Sequence, residues 1–295
     1  MGNRAIYTIS RMFWKSVAST IKGGVLPSLG RIEAPLDQRE ESKEVSSSQA
    51  LDFSRECLAR RYLDGSGIEI GAFSSPLKVP DSLSVTYVDN CSVTDALRSL
   101  SVCNLTHVDF GIEERNVVSP DVIDDGQYLQ TIGDNSQDFV IANHVLEHYE
   151  NPLAGFANML RVTRHGGIIY VALPDMRRCF DRTREPTTLE HVLRDYQEGP
   201  EWSREQAFRE FGNVFISEGM AKGLFPKLAG SELDAFTDDC ISQLMASGFS
   251  IHFHAWTPDL MLEMFLSAKR YLKMPFEFEL FYPSGDEVLF IFKKA

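Results

Sequence analysis

The sequence predicts an α/β protein. Its sheet is doubly wound and mostly parallel, closed by an antiparallel hairpin, with a helical lid inserted late in the chain. Three observations carry this. Between residues 51 and 175, short apolar runs ending in glycine or an acid alternate with helical patterns. Residues 176–250 break that rhythm with charged, helical sequence holding Trp202, Phe208, Phe211, Phe215 and Phe225. Two β-rich runs then face each other across Pro283-Ser284-Gly285.

The elements follow in order. Residues 1–32 carry Arg4, Arg11, Lys15, Lys22 and Arg31 and no acid, with Ile6, Ile9, Phe13, Val17 and Ile21 at helical spacing. Such a basic amphipathic helix suits peripheral docking on an acidic membrane surface or a partner, and equally packing on its own domain. Residues 33–50 are polar and read as a linker. The folded domain is expected from about Leu51. Gly67–Ala72, Leu83–Asp89, Asn116–Val122, Asp138–Asn143 and Ile168–Leu173 read as strands, and Leu153–Val162 as a helix stopped by Gly166-Gly167. Thr257–Leu272 reads as a helix with Thr257 as N-cap and Pro258 first. Phe276–Tyr282 and Val288–Phe292 form the closing hairpin.

Composition narrows the function classes. Of the 295 residues, 43% are hydrophobic and 24% charged, which are globular proportions. The net charge of −13 argues against broad binding to a nucleic-acid backbone. No apolar stretch is long enough to span a bilayer, and the first residues match neither a secretory signal nor a myristoylation pattern. Five cysteines without a CxxC pair suit reduced thiols and a cytoplasmic protein, with residues 1–32 available to dock at the inner membrane face.

The strongest chemical signal is Ile68-Glu69-Ile70-Gly71-Ala72, followed 18 residues after Gly71 by Asp89. A glycine at a strand's carboxyl end lets a ligand approach the backbone. An acid ending the next strand can accept hydrogen bonds from both ribose hydroxyls. The run Gly71-Ala72-Phe73-Ser74-Ser75-Pro76 lacks the glycines of a pyrophosphate cradle, so a nucleoside without a diphosphate fits better.

Together with Asp138-Phe-Val-Ile-Ala-Asn143-His144-Val-Leu-Glu147-His148 and the segment Leu160–Ile168, these residues resemble the class I S-adenosylmethionine-dependent methyltransferases. The resemblance is nearest to the small-molecule branch with a VLEH segment, often associated with saccharides. It implies a seven-stranded Rossmann-like sheet and S-adenosylmethionine as cofactor. Carried over residue by residue, Glu69 would lie under the cofactor loop and help orient the methionine ammonium. Gly71 and Ala72 would border the amino-acid part, and Asp89 would hold the ribose. Asp124 and Asp125 would lie by the adenine, and they could equally cap turns. Asn143 and His144 would face the methionine part and the acceptor. This chain departs from the pattern in keeping one loop glycine and in having His165 where the family often has proline.

The implied reaction is O-methylation of a saccharide or other polar small molecule, with a histidine as general base. His144, His252 and His254 are the candidates. The last two lie two residues apart, so in extended chain they face one side. No metal is predicted. Asp175, Asp181 and the histidines could grip a divalent ion, but the two acids are expected to pair with Arg177-Arg178 and Arg182-Arg184. Two alternatives stand beside this reading. One is a non-catalytic subunit that binds the cofactor. The other is a zinc hydrolase, because His144-Val-Leu-Glu147-His148 fits H-x-x-E-H, although His144 follows directly on a strand run and should sit at a turn.

Overall fold

A computed structural model describes residues 54–99, 117–221 and 223–295. The expected amphipathic segment at 1–32 and linker at 33–50 lie outside the described residues, as does Asn116. Seven strands form one sheet: β1 (Ser66–Ile70), β2 (Ser84–Asp89), β3 (Val122–Ile123), β4 (Gln137–Asn143), β5 (Thr163–Pro174), β6 (Phe276–Ser284) and β7 (Glu287–Lys294). Their order is β3-β2-β1-β4-β5-β7-β6. The first five run parallel, and β7 lies antiparallel between β5 and β6.

Strand alternation sorts the core into two layers, because successive side chains point to opposite faces. Ile68, Ile70, Val140, Ala142, Ile169 and Val171 face one layer. It is completed by Phe156, Met159 and Leu160 of α3 (Pro152–Val162) and by Met261, Met264 and Phe265 of α7 (Pro258–Arg270). Phe139, Ile141, Tyr170, Ala172, Leu289 and Ile291 face the other, against Leu58 and Ala59 of α1 (Arg55–Tyr62). Both faces are covered, so the sheet is doubly wound, as the sequence implied.

Local boundaries follow identifiable side chains. The Asn151 side chain accepts from the Ala154 amide at 3.0 Å and caps α3, with Pro152 at its first turn. Pro258 likewise opens α7, but the side chain of Thr257 makes no capping bond, contrary to expectation. The stop expected at Gly166-Gly167 also differs. Helix α3 ends at Val162 and β5 begins at once at Thr163. A Cβ at position 167 would lie 2.7 Å from the Asp138 carbonyl oxygen, so this glycine admits β4 to β5 where their register shifts. The third strand is shorter than expected, only Val122–Ile123.

After β5 the chain leaves the sheet through two 3-10 turns and builds α4 (Leu189–Glu198), α5 (Arg204–Ala221) and α6 (Ser231–Ser247). Helix α4 packs on α3 and α7. Phe208, Phe211 and Phe215 of α5, Ile241 and Leu244 of α6, and Phe180 form a core of their own, joined by Phe73 from the loop after β1 and by Ala96 of α2 (Val93–Ser99). The insertion is therefore a lid seated on that loop. No helix among the described residues is long and apolar enough to cross a membrane. Cys57, Cys91 and Cys179 are free thiols. Cys240 is in a disulfide, so the expectation of five reduced thiols does not hold.

Candidate active site

Strand β1 lies between β2 and β4, at the point where the winding of the sheet reverses. Ligands of such sheets bind beyond the carboxyl ends at this switch. Ile70 is opposite Val88 on one side and Ala142 on the other. The next residues on the three strands, Gly71, Asp89 and Asn143, therefore leave the sheet together. Gly71 donates its amide to the Val88 carbonyl at 2.9 Å and has φ +65°. That left-handed backbone, with Val145 3.4 Å from where a Cβ would stand, favours glycine. Ala72 is buried beside it.

Glu69 is buried, and its carboxylate accepts the Leu77 amide at 2.9 and 3.1 Å. It pins the 71–77 loop from below. The loop is held from its other side by the Val118 amide, which donates to the Phe73 carbonyl at 2.7 Å. Asp89 accepts the Asn90 amide at 2.8 Å. Asp124 accepts both the amide and the hydroxyl of Thr131, each at 2.7 Å, and Asp125 accepts the Gln127 amide at 2.9 Å. These are turn-closing bonds. The Asp124 amide also donates to the Asp89 carbonyl at 2.9 Å, which ties the β3 loop to the end of β2.

His144 continues β4 by donating its amide to Ala172 at 2.8 Å, yet has φ +55°, rare for a residue with a Cβ. Its Nε2 lies 2.8 Å from Glu287 Oε2, and its Nδ1 lies 3.6 Å from Glu147 Oε1. The His144 side chain is 20% exposed, the largest exposure among the three candidate bases. Glu287 opens β7 opposite Pro174, so the antiparallel strand delivers an acid to the carboxyl edge of the parallel ones. Arg55 Nε donates to it at 2.7 Å, and a second guanidinium nitrogen also contacts it. Burial would raise the pKa of Glu287, but hydrogen bonds from His144 and Arg55 and their charges outweigh it and bring it to about 2.

The other two histidines are buried, and their rings meet different partners. His252 Nδ1 lies 2.6 Å from Asp181 Oδ2, and its ring meets His148 edge-on. Asp181 also accepts from Arg184 at 2.9 Å, as expected, and Asp175 is bound by Arg177. Burial would raise the Asp181 carboxyl, but His252 and Arg184 hold it below its ordinary value. The ring of His254 stacks on Trp256 and lies 3.7 Å from Asp195 and 3.4 Å from the Glu150 carbonyl. Burial, followed by the nearby His191, lowers its pKa to about 3. Residues 251–256 belong to no strand, and the rings of His252 and His254 go to separate groups, Asp181 for one and Trp256 with Asp195 for the other. The zinc-peptidase arrangement is not formed either. His144 stands outside the 3-10 turn Leu146–His148, with its Nε2 on Glu287.

Glu287 is the residue the sequence reading missed. Its signal was present as an acid opening the last strand, but only the strand order gives that position a meaning.

Residues 83–171 match the family model of a methyltransferase domain. Among curated proteins, none matches the sequence. Solved structures similar to the chain include SAM-dependent methyltransferases of three organisms. That of Thermotoga maritima is 13% identical, covering 79% of this chain and 82% of its own, with a TM-score of 0.38. That of Methanosarcina mazei is 16% identical, covering 80% and 95%, at 0.37. That of Aquifex aeolicus is 10% identical, covering 77% and 80%, at 0.32. Likeness at this level says nothing of substrate. The matched segment runs from the start of β2 into β5 and takes in the strand ends that carry Asp89 and Asn143, so this part of the seven-stranded sheet is similar to a methyltransferase domain.

Proposed function

We propose that this chain methylates a hydroxyl group of a polar small molecule, a saccharide or similar polyol, with His144 as general base and Glu287 as the residue that positions it. One observation carries the proposal: a partly exposed histidine at the carboxyl end of β4, in a strained backbone conformation, bonded to an ionised, partly buried carboxylate.

The residues at the switch fit the cofactor. Gly71 keeps the end of β1 clear of side chains in a backbone conformation that a Cβ would strain. The Asp89 carboxylate ends the neighbouring strand, where ribose hydroxyls would donate to it. Asn143 would face the methionine part, with Ala72 beside it. Asp124 and Asp125 would border the adenine through the loop their carboxylates close. Bound there, S-adenosylmethionine supplies a methyl group on a sulfonium, a strong electrophile with a neutral leaving group.

The protein then has to orient the acceptor, exclude water and take one proton. His144 donates Nε2–H to Glu287, so the neutral ring carries its lone pair on Nδ1 and accepts the hydroxyl proton there. Glu287 stabilises the imidazolium that results. His254, with a pKa of about 3, is too weak a base for this work at neutral pH, and His252 is committed to Asp181. The lid supplies the cover over the 71–77 loop. Arg177 is engaged by Asp175 and Arg182 by Glu218, which favours a neutral acceptor over a phosphorylated one.

Calorimetric titration with S-adenosylhomocysteine tests the cofactor. Micromolar binding, about −8 kcal/mol, should be lost in Asp89→Ala. Methyl transfer to a panel of polyols then tests the base. His144→Ala should lower kcat by about 10²–10⁴-fold with S-adenosylhomocysteine affinity unchanged. No binding to the wild type at millimolar ligand, or full kcat in His144→Ala, overturns the proposal.

A further inference from the structure

Behind His144 lies a group of side chains that methyl transfer does not use. We propose that Glu147, His148 and His252 form a binding site for a divalent transition-metal ion of the zinc type. The three residues are 1%, 1% and 4% exposed, and one ligand atom from each lies within 4.8 Å of the others. The ligands of a tetrahedral zinc ion, at about 2.1 Å, stand about 3.4 Å apart. Small side-chain rotations close that difference.

Both imidazoles are oriented as metal-bound histidines are, with one ring nitrogen held by a second partner. His148 Nδ1 lies 2.9 Å from the Ile251 carbonyl oxygen and 3.1 Å from Ser250 Oγ. A proton on Nδ1 leaves the lone pair on Nε2, which lies 4.0 Å from Glu147 Oε1. His252 Nδ1 lies 2.6 Å from Asp181 Oδ2, and Asp181 is anchored by Arg184 at 2.9 Å. The same logic puts the lone pair of His252 on its Nε2. A carbonyl anchor thus leaves the His148 lone pair on the side of the buried Glu147 carboxylate, and a carboxylate anchor leaves the His252 lone pair on its Nε2, in the same cluster.

The backbone supports the arrangement from both sides. Glu147 and His148 sit on the 3-10 turn after β4, while His252 sits on the segment returning from the lid. The Phe253 amide donates to the Glu147 carbonyl at 2.8 Å, so the two segments are fixed together before any ion arrives. Two imidazoles and one carboxylate suit zinc and its first-row neighbours better than magnesium or calcium, which take oxygen ligands. Taking a carboxylate out of water is costly, and a cation beside it offsets that cost. The ion would fasten the lid's return to the β4 loop, and it leaves a coordination position for a further ligand.

The test uses the full chain, stripped of metal by chelator, and reads binding rather than activity. Calorimetry with zinc chloride should give one ion per chain, and cobalt(II) chloride should give visible ligand-field bands. Zinc should also raise the melting temperature. Glu147→Gln and His252→Gln should each weaken zinc binding at least tenfold. Asp181→Asn, which takes the charged anchor from His252 and also the partner from Arg184, should weaken it about 10–100-fold. His191→Ala should change nothing, because His191 belongs to a separate group with Asp195 and His254. If His252→Gln fails to fold, Glu147→Gln decides. A wild type that binds neither ion overturns the proposal. So does binding that survives both ligand substitutions or disappears with His191→Ala. S-adenosylhomocysteine affinity is measured separately, so failure here leaves the methyltransferase reading standing or falling on its own evidence.

Discussion

Glu287 stands between a guanidinium and an imidazole, and its chemistry depends on both. Arg55 and His144 each donate to it, and together they overcome the cost of burying its charge. Glu287→Gln keeps the shape and removes the charge. If His144 is the base as proposed, the variant should lower kcat for methyl transfer by about ten- to a hundredfold, because the imidazolium would lose its counter-ion. The KM for the methyl donor should stay within error, since Glu287 opens β7 rather than the cofactor loop. Steady-state kinetics that show a raised donor KM with unchanged kcat would assign Glu287 to binding instead. Asp124 makes the opposite point. Its carboxylate closes a turn onto Thr131, so any service to the adenine passes through the loop it shapes.

At the scale of elements, a tight constraint lies where α3 meets the turn before it. Gly155 is inside α3, where an alanine is ordinarily about 1 kcal/mol better. Here a Cβ would come 2.3 Å from the Tyr149 ring, which is fully buried. Gly155→Ala should therefore destabilise the protein, by about 1–3 kcal/mol, and urea unfolding measures it. A gain in stability would show that Tyr149 moves freely. Most elements were legible in the sequence because apolar runs with glycine or acidic ends mark strands, and Thr257-Pro258 marks a helix start. The junction of α3 and β5 was not. Two glycines read as a helix stop, whereas Gly167 lets β4 approach β5, a contact between chain segments that local sequence does not display.

For the molecule as a whole, acid is the predicted weakness. His254 is held at about 3, against 6.5 in an ordinary environment. Between those values the unfolded chain binds a proton that the folded chain refuses, so stability is intact above pH 6.5 and declines as pH falls toward 3. Glu287 is held at about 2 against 4.5, so its contribution is complete above 4.5 and is lost as pH falls through 2. Stability should begin to fall below pH 6.5 and fall more steeply below 4.5. The His254 part alone amounts to about 2 kcal/mol at pH 5 relative to neutral pH. Urea midpoints across that range check this, and a flat profile down to pH 5 would contradict the neutral, buried state of His254.

By itself the sequence determined the order of strands and helices, the glycine and acid that end β1 and β2, and the late helical insertion. Each is written in neighbouring residues, where periodicity and turn chemistry act. The tertiary structure decided which distant side chains meet. Glu287 reaches His144 because β7 runs against β5 and opens at the edge where the parallel strands end. His252 reaches Glu147 and His148 because the lid returns its chain beside the β4 loop. Both encounters join residues more than a hundred positions apart. No local pattern encodes such separations. They are set by how the sheet closes and where the lid packs.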